Sequence, residues 1–142
     1  MTIGWRFDNT YSKLPDPFIS NISPIPVKSP ELIILNDNLS KQLGLNFSLV
    51  SKKELSNLFS GNSLPEGSKS IAQAYAGHQF GHFTILGDGR ALLLGEHIND
   101  KNERYDIQLK GSGKTPYSRN GDGKAVLGSM LREYIILSLI HI

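Results

Sequence analysis

Hydrophobic and polar positions change their period along this chain. From Tyr105 to Lys110 they alternate strictly: Tyr105, Ile107 and Leu109 fall on one side, Asp106, Gln108 and Lys110 on the other. That period marks a half-buried strand. His82 to Leu86 and the leucine-dense run Ala91 to Ile98 also read as strands. Gly87-Asp88-Gly89 separates those two, and the polar turn Asn99 to Glu103 follows them. Three strands joined by short turns predict an antiparallel meander. Upstream lie two short helices. One covers Asn36 to Leu43, with Gly44 at its C′ position. The other opens on the capping box Ser51-Lys52-Lys53-Glu54, carries Leu55, Leu58 and Phe59, and stops at Gly61. Asn62 to Ser70 reads as loop, Gly111 to Gly123 as a glycine-rich loop, and a helix runs from about Ala125 to the end.

Two regions of different texture follow. Residues 1–69 hold six of the seven prolines, and residues 77–128 hold ten of the fourteen glycines. The division is therefore a proline-rich arm with short helices over 1–69 and an α+β lobe over 70–142. Pro15, Pro17, Pro24, Pro26 and Pro30 keep the first thirty residues extended or turning. Phe7, Tyr11, Leu14, Phe18 and Ile22 are threaded through that segment and predict that it packs onto the lobe. The run Ile135 to Ile142 is apolar on every helix face, which belongs inside a protein. It favours a chain whose partner lobe is missing over a dimer contact or a buried last helix.

With 142 residues and no cysteine, the chain has no disulfide framework, iron–sulfur ligand or thiol nucleophile. Hydrophobic content of 39% with 20% charged residues is ordinary globular composition. The net charge of +2 falls short of the basic excess of a duplex nucleic-acid binder. No apolar run reaches the roughly 18 residues of a membrane span. Met1 to Asp8 has no apolar core of a secretory signal, and Asp8 and Asp16 oppose a transit peptide. The expected compartment is the cytoplasm, with neither membrane nor duplex nucleic acid as partner.

Candidate chemistry concentrates between Ile107 and Arg132. Lys110, Lys114, Arg119, Lys124 and Arg132 face one acid there, Asp122. Cations among glycines suit phosphate, because glycine lets backbone amides approach an anion; the plain alternative is a solvated basic loop. Gly111-Ser112-Gly113-Lys114-Thr115 resembles the end of a P-loop but fails. Gln108 stands where the motif needs glycine, and Pro116 keeps Thr115 out of helical geometry. Gly87-Asp88-Gly89-Arg90, taken alone, is a hairpin turn. His78 and His82 are four apart, but Gly81 breaks the helix that would turn them to one metal. Lys110 at a strand end and Glu133 on the next helix are the most suggestive pair. Glu133 shares a helix face with Val126, Met130 and Leu137, and a carboxylate buried there needs a partner. Strand lysine plus helix glutamate is how kinases hold nucleotide phosphates; the alternative is two surface charges that never meet.

Several long blocks now occur in register. They are Ala74-Tyr-Ala-Gly-His-Gln-Phe-Gly81, Leu86-Gly-Asp-Gly-Arg-Ala91, Asp106-Ile-Gln-Leu-Lys-Gly-Ser-Gly113, Thr115-Pro-Tyr-Ser-Arg119, Gly121-Asp-Gly123 and Leu131-Arg-Glu-Tyr134. In order and spacing they resemble the SelO family of protein adenylyltransferases, called YdiU in bacteria, along nearly the whole chain. The resemblance implies a protein-kinase-like N-lobe, an antiparallel meander plus a glutamate-bearing helix, preceded by an arm. It implies transfer of AMP from ATP to Ser, Thr or Tyr hydroxyls of proteins, with ATP flipped relative to ordinary kinases and Mg²⁺ or Mn²⁺ as metal. By position, Gly87, Gly89 and Arg90 match one nucleotide-contacting turn, Asp122 and Gly123 a second, Lys110 the phosphate-contacting lysine and Glu133 its partner.

Members of that family are several times longer. Their catalytic aspartate, metal ligands and further arginines lie beyond the glutamate helix, in a C-lobe absent here. From about Leu139 the resemblance ends. The expectation is an N-terminal portion without transfer activity of its own and without metal ligands. Two other readings remain: a stand-alone module for nucleotide or single-stranded RNA, with Tyr117 and the basic loop as its surface, or a fragment that aggregates through its last helix.

Overall fold

The computed structural model describes residues 3–79 and 81–140. Met1, Thr2, Phe80 and the end of the apolar run, His141 and Ile142, lie outside the described residues. The elements, in chain order, are β1 (Ile19–Asn21), α1 (Asp37–Gln42), α2 (Lys52–Ser60), β2 (Ile71–Gly77), β3 (Thr84–Gly87), β4 (Ala91–Ile98), β5 (Arg104–Lys110) and α3 (Leu127–Ile140). The class is α+β, with an antiparallel sheet and few helices.

Local signals in the sequence set the helices. The Asn36 side chain accepts from Leu39 N at 3.0 Å and starts α1. Ser51 Oγ accepts from Glu54 N at 3.2 Å while Glu54 Oε2 accepts from Ser51 N at 2.9 Å, closing the predicted capping box of α2. Gly61 ends that helix in the left-handed region. Leu43, Leu45, Leu55 and Leu58 are buried beneath these turns.

β4 and β5 form a hairpin that runs from Ala91 opposite Lys110 to Ile98 opposite Arg104. In β5 the even-numbered residues are exposed and the odd-numbered ones half-buried, as the alternation predicts. A register shift falls between Leu93 and Gly95. Gly95 has φ +138°, and a Cβ there would come within 2.8 Å of the Phe7 ring. The irregularity thus makes room for the N-terminal segment.

The predicted meander needs correction. A strand that the sequence pattern did not announce, β2, joins the sheet together. It pairs with β1 (Ile19 opposite Gln73), with β3 (Gly77 opposite Thr84) and with β4 (Ile71 opposite Leu93). β3 pairs with β2 and not with β4, so Gly87-Asp88-Gly89 is not a hairpin turn. Ile19, Ile71 and Leu93 meet at the centre of the core.

The proline-rich segment is built into this sheet. Ile98 N donates to Arg6 O and Asp8 N donates to Glu96 O, each at 2.9 Å, so residues 6–8 run alongside β4. Its anchors are only partly those expected: Phe7 stacks on Trp5, but Tyr11, Leu14 and Phe18 are exposed, and Ile19 and Pro24 are buried instead. Two polar groups fasten it. Glu96 is 1% exposed, and its Oε1 accepts from Thr10 N at 3.0 Å and from the Thr10 hydroxyl. His97 Nδ1 accepts from Arg6 N, which leaves Nε2 to donate to Leu43 O at 2.8 Å.

α3 begins at Leu127 rather than Ala125, and its Ile135, Ile136 and Leu137 side chains are exposed, not enclosed. Among the described residues no helix is long and apolar enough to cross a membrane.

Candidate nucleotide site

The site grows out of a mismatch along β2. Gly87 stands opposite Ala74 and Leu93 opposite Ile71, so six steps of one chain cover three of the other. The surplus, Asp88 to Arg90, leaves the ladder and forms a crossing between β3 and β4. Asp88 compensates for the lost pairing. Its N donates to Gln73 O at 2.9 Å, and its Oδ2 accepts from Gln73 N at 3.0 Å. Partial burial raises the Asp88 carboxyl above its ordinary pKa, against the lowering effect of the Gln73 amide. Gly87 permits the close packing: a Cβ there would sit 2.5 Å from Tyr117 Cδ2 and 2.7 Å from Gln73 O.

A second loop braces the crossing. Thr115 Oγ1 donates to Asp88 O at 2.6 Å, the Ser118 hydroxyl donates to Gly89 O, and Gly111 N donates to Arg90 O at 2.6 Å. Further along, Gly113 N donates to Gly123 O at 3.3 Å, and Asp122 Oδ1 accepts from Lys124 N at 2.9 Å. The crossing and the loop wall a cleft of about 960 Å³. Six of the residues singled out from the sequence line it: Gly87, Gly89, Arg90, Lys110, Asp122 and Gly123.

The seventh, Glu133, is reached through Lys110. Lys110 Nζ donates to Glu133 Oε2 at 2.6 Å, and Arg90 Nη2 lies 4.0 Å from Oε1. The Lys110 hydrogen bond lowers the Glu133 pKa, with Lys110 and Arg90 charge adding to it. The expectation of a carboxylate buried on an apolar helix face is not met. The Lys110 and Glu133 side chains are 40% and 38% exposed, so water screens the pair and leaves it open to competition.

Other expected features fall elsewhere. His78 packs edge-on against Phe83 at 5.4 Å between centroids. Among the described residues no three His, Cys, Asp or Glu gather as metal ligands. The acids lining the cleft, Asp88 and Asp122, each accept a backbone amide through one carboxylate oxygen. Tyr117 OH lies 3.2 Å from Ser20 Oγ and its ring lies over Gly87, so the ring is already packed. Sequence reasoning missed Asp88, Thr115 and Ser118. Asp-Gly read as a turn; the available signal was the Thr-x-x-Ser spacing, in which each hydroxyl can turn back on nearby backbone.

Residues 2–142 match the family described as protein adenylyltransferase SelO. The chain belongs to the SelO family. It is 65% identical over 141 residues to the protein nucleotidyltransferase YdiU of Pelagibacter ubique, covering 99% of this chain and 29% of that relative. The Nitrosococcus oceani relative of the same name is 61% identical, covering 98% of this chain and 28% of the relative. That of Brevibacillus brevis is 62% identical, covering 97% and 28%. At the family level, SelO proteins are nucleotidyltransferases. The chain spans under a third of the length of these relatives.

Proposed function

We propose that this chain is the N-terminal, kinase-like lobe of an ATP-dependent protein adenylyltransferase and that its cleft takes the nucleotide. The observation that carries the reading is the meeting of Lys110, Arg90 and Glu133 at a cleft lined by Gly87, Gly89 and Gly123. In the intact enzyme a protein hydroxyl attacks the α-phosphorus of ATP, an O–P bond forms, and pyrophosphate leaves. Such a transfer needs alignment and cancellation of negative charge. Lys110 and Arg90 supply the cations. The glycines let the backbone come close to the phosphates, and Glu133 holds the lysine at the cleft.

Transfer itself requires a base and, with Mg²⁺ or Mn²⁺, metal ligands. Among the described residues no three His, Cys, Asp or Glu gather to hold a metal, which supports binding without transfer by this chain alone. The alternative, single-stranded RNA stacked on Tyr117, has less support because that ring is packed over Gly87.

The test has two arms. Titration with ATP is expected to give saturable binding that Lys110→Ala abolishes. Incubation with labelled ATP, Mn²⁺ and candidate proteins is expected to give no transfer. Absence of ATP binding refutes the nucleotide reading; robust labelling refutes the inactivity of the isolated chain.

A further inference from the structure

Two hydroxyls have partners that local turn formation does not require. Thr115 Oγ1 accepts from Tyr117 N at 3.1 Å and donates to Asp88 O at 2.6 Å. Ser118 Oγ accepts from Thr115 N at 2.8 Å and donates to Gly89 O. Each therefore uses its single proton on the crossing and a lone pair on its own loop. Thr115 is buried, so its hydroxyl has little competition from water.

The two carbonyls held this way are consecutive. In a trans peptide the C=O and the following N–H point in opposite directions, and no peptide bond among the described residues is cis. Drawing the Asp88 and Gly89 carbonyls toward the Thr115–Ser118 wall turns the N–H groups of Gly89 and Arg90 away from it. Neither N–H has a hydrogen-bond partner among the described residues, and both residues line the cleft. Two adjacent unpaired amides beside the Arg90 and Lys110 cations make an anion-binding concavity.

We propose that Thr115 and Ser118 are positioning residues: their hydroxyls clasp the Asp88 and Gly89 carbonyls and thereby aim the Gly89 and Arg90 amides at the phosphates of the nucleotide. The proposal rests on the nucleotide reading of the cleft. The hydroxyls act through the crossing and touch no ligand themselves. Asp88 serves the same end from the other side by fixing the crossing to Gln73.

The experiment uses the 142-residue chain with ATP and with inorganic tripolyphosphate, which carries the phosphates without the base. Ser118→Ala and Thr115→Val are each expected to weaken both ligands about three- to tenfold, the loss of one hydrogen bond. Ser118→Thr and Thr115→Ser keep the hydroxyl and are expected to restore binding. In the unaltered chain, tripolyphosphate is expected to shift the amide proton resonances of Gly89 and Arg90, a readout that does not depend on whether Thr115→Val folds. If the unaltered chain takes neither ligand, the nucleotide reading fails and the clasp with it. If it binds while those two amides stay unmoved, or Ser118→Ala binds as tightly, the clasp alone is overturned.

Discussion

Lys110 Nζ donates to Glu133 Oε2 at 2.6 Å across twenty-three residues of sequence, with both side chains open to water. An exposed pair of this kind contributes little to stability because solvent screens it. Lys110→Ala is therefore expected to leave the thermal midpoint nearly unchanged while removing ATP binding. A large fall in the midpoint would make the pair structural instead. The Glu133 pKa is depressed below 4.5, so its contribution is present above that value and lost as pH falls through the folded-state value. Glu133→Gln is expected to flatten that part of the stability–pH profile, read by denaturant titration.

Asp88 has the opposite sign. Its carboxyl is raised above 3.8 by burial, so the folded state holds the proton longer than the unfolded chain. Ionising it costs stability as pH rises from 3.8 toward the folded-state value. Asp88→Asn keeps an oxygen for Gln73 N and is expected to remove that pH dependence without loss at neutral pH. Asp88→Ala leaves the amide unpaired and is expected to cost about 1 kcal/mol. Paired denaturation curves across acid pH separate the two substitutions.

Gly87→Ala is expected to destabilise the fold by about 1–3 kcal/mol through overpacking against Tyr117 and Gln73 O. The ring can be removed and the carbonyl cannot. In a Tyr117→Ala background the same substitution is expected to cost less, though not nothing. A double-mutant cycle measures that coupling; full additivity would show that the ring and Gly87 are not packed together.

Thr10→Val removes the hydroxyl that donates to the fully buried Glu96 carboxylate while keeping shape. A buried acceptor stripped of a donor costs about 1–3 kcal/mol. The same substitution is expected to loosen the N-terminal segment, seen as faster amide exchange at Asp8 and Ile98, whose bonds run between that segment and β4.

How far the pattern of residues carried the architecture depended on whether each element states its own geometry. The alternation of β5, the Ser51–Glu54 box and the glycine at Gly61 are local and were legible. β2 was not. Ile71-Ala-Gln-Ala-Tyr-Ala-Gly77 is rich in alanine, which has low strand propensity. The strand exists because β1, β3 and β4 pair with it, and Ala72 is wholly buried there. Missing β2 also turned the β3–β4 crossing into a false hairpin. Three of the arm's expected anchors, Tyr11, Leu14 and Phe18, fail for a related reason: an apolar side chain in a proline-rich segment marks only an opportunity for burial, and these remain exposed.

Residue order alone determined the types of chemistry present: glycines where backbone must pass close, cations and one glutamate in a long register of blocks, helix caps and one clear strand period. Those follow from properties that each residue carries with it over a few neighbours. Tertiary structure alone decided that the crossing leaves the ladder by three surplus residues, that Asp88, Thr115 and Ser118 hold it, and that Lys110 and Glu133 meet in water rather than in a core. Each of these depends on which strand lies beside which, a consequence of pairing and packing between distant segments that no local pattern encodes.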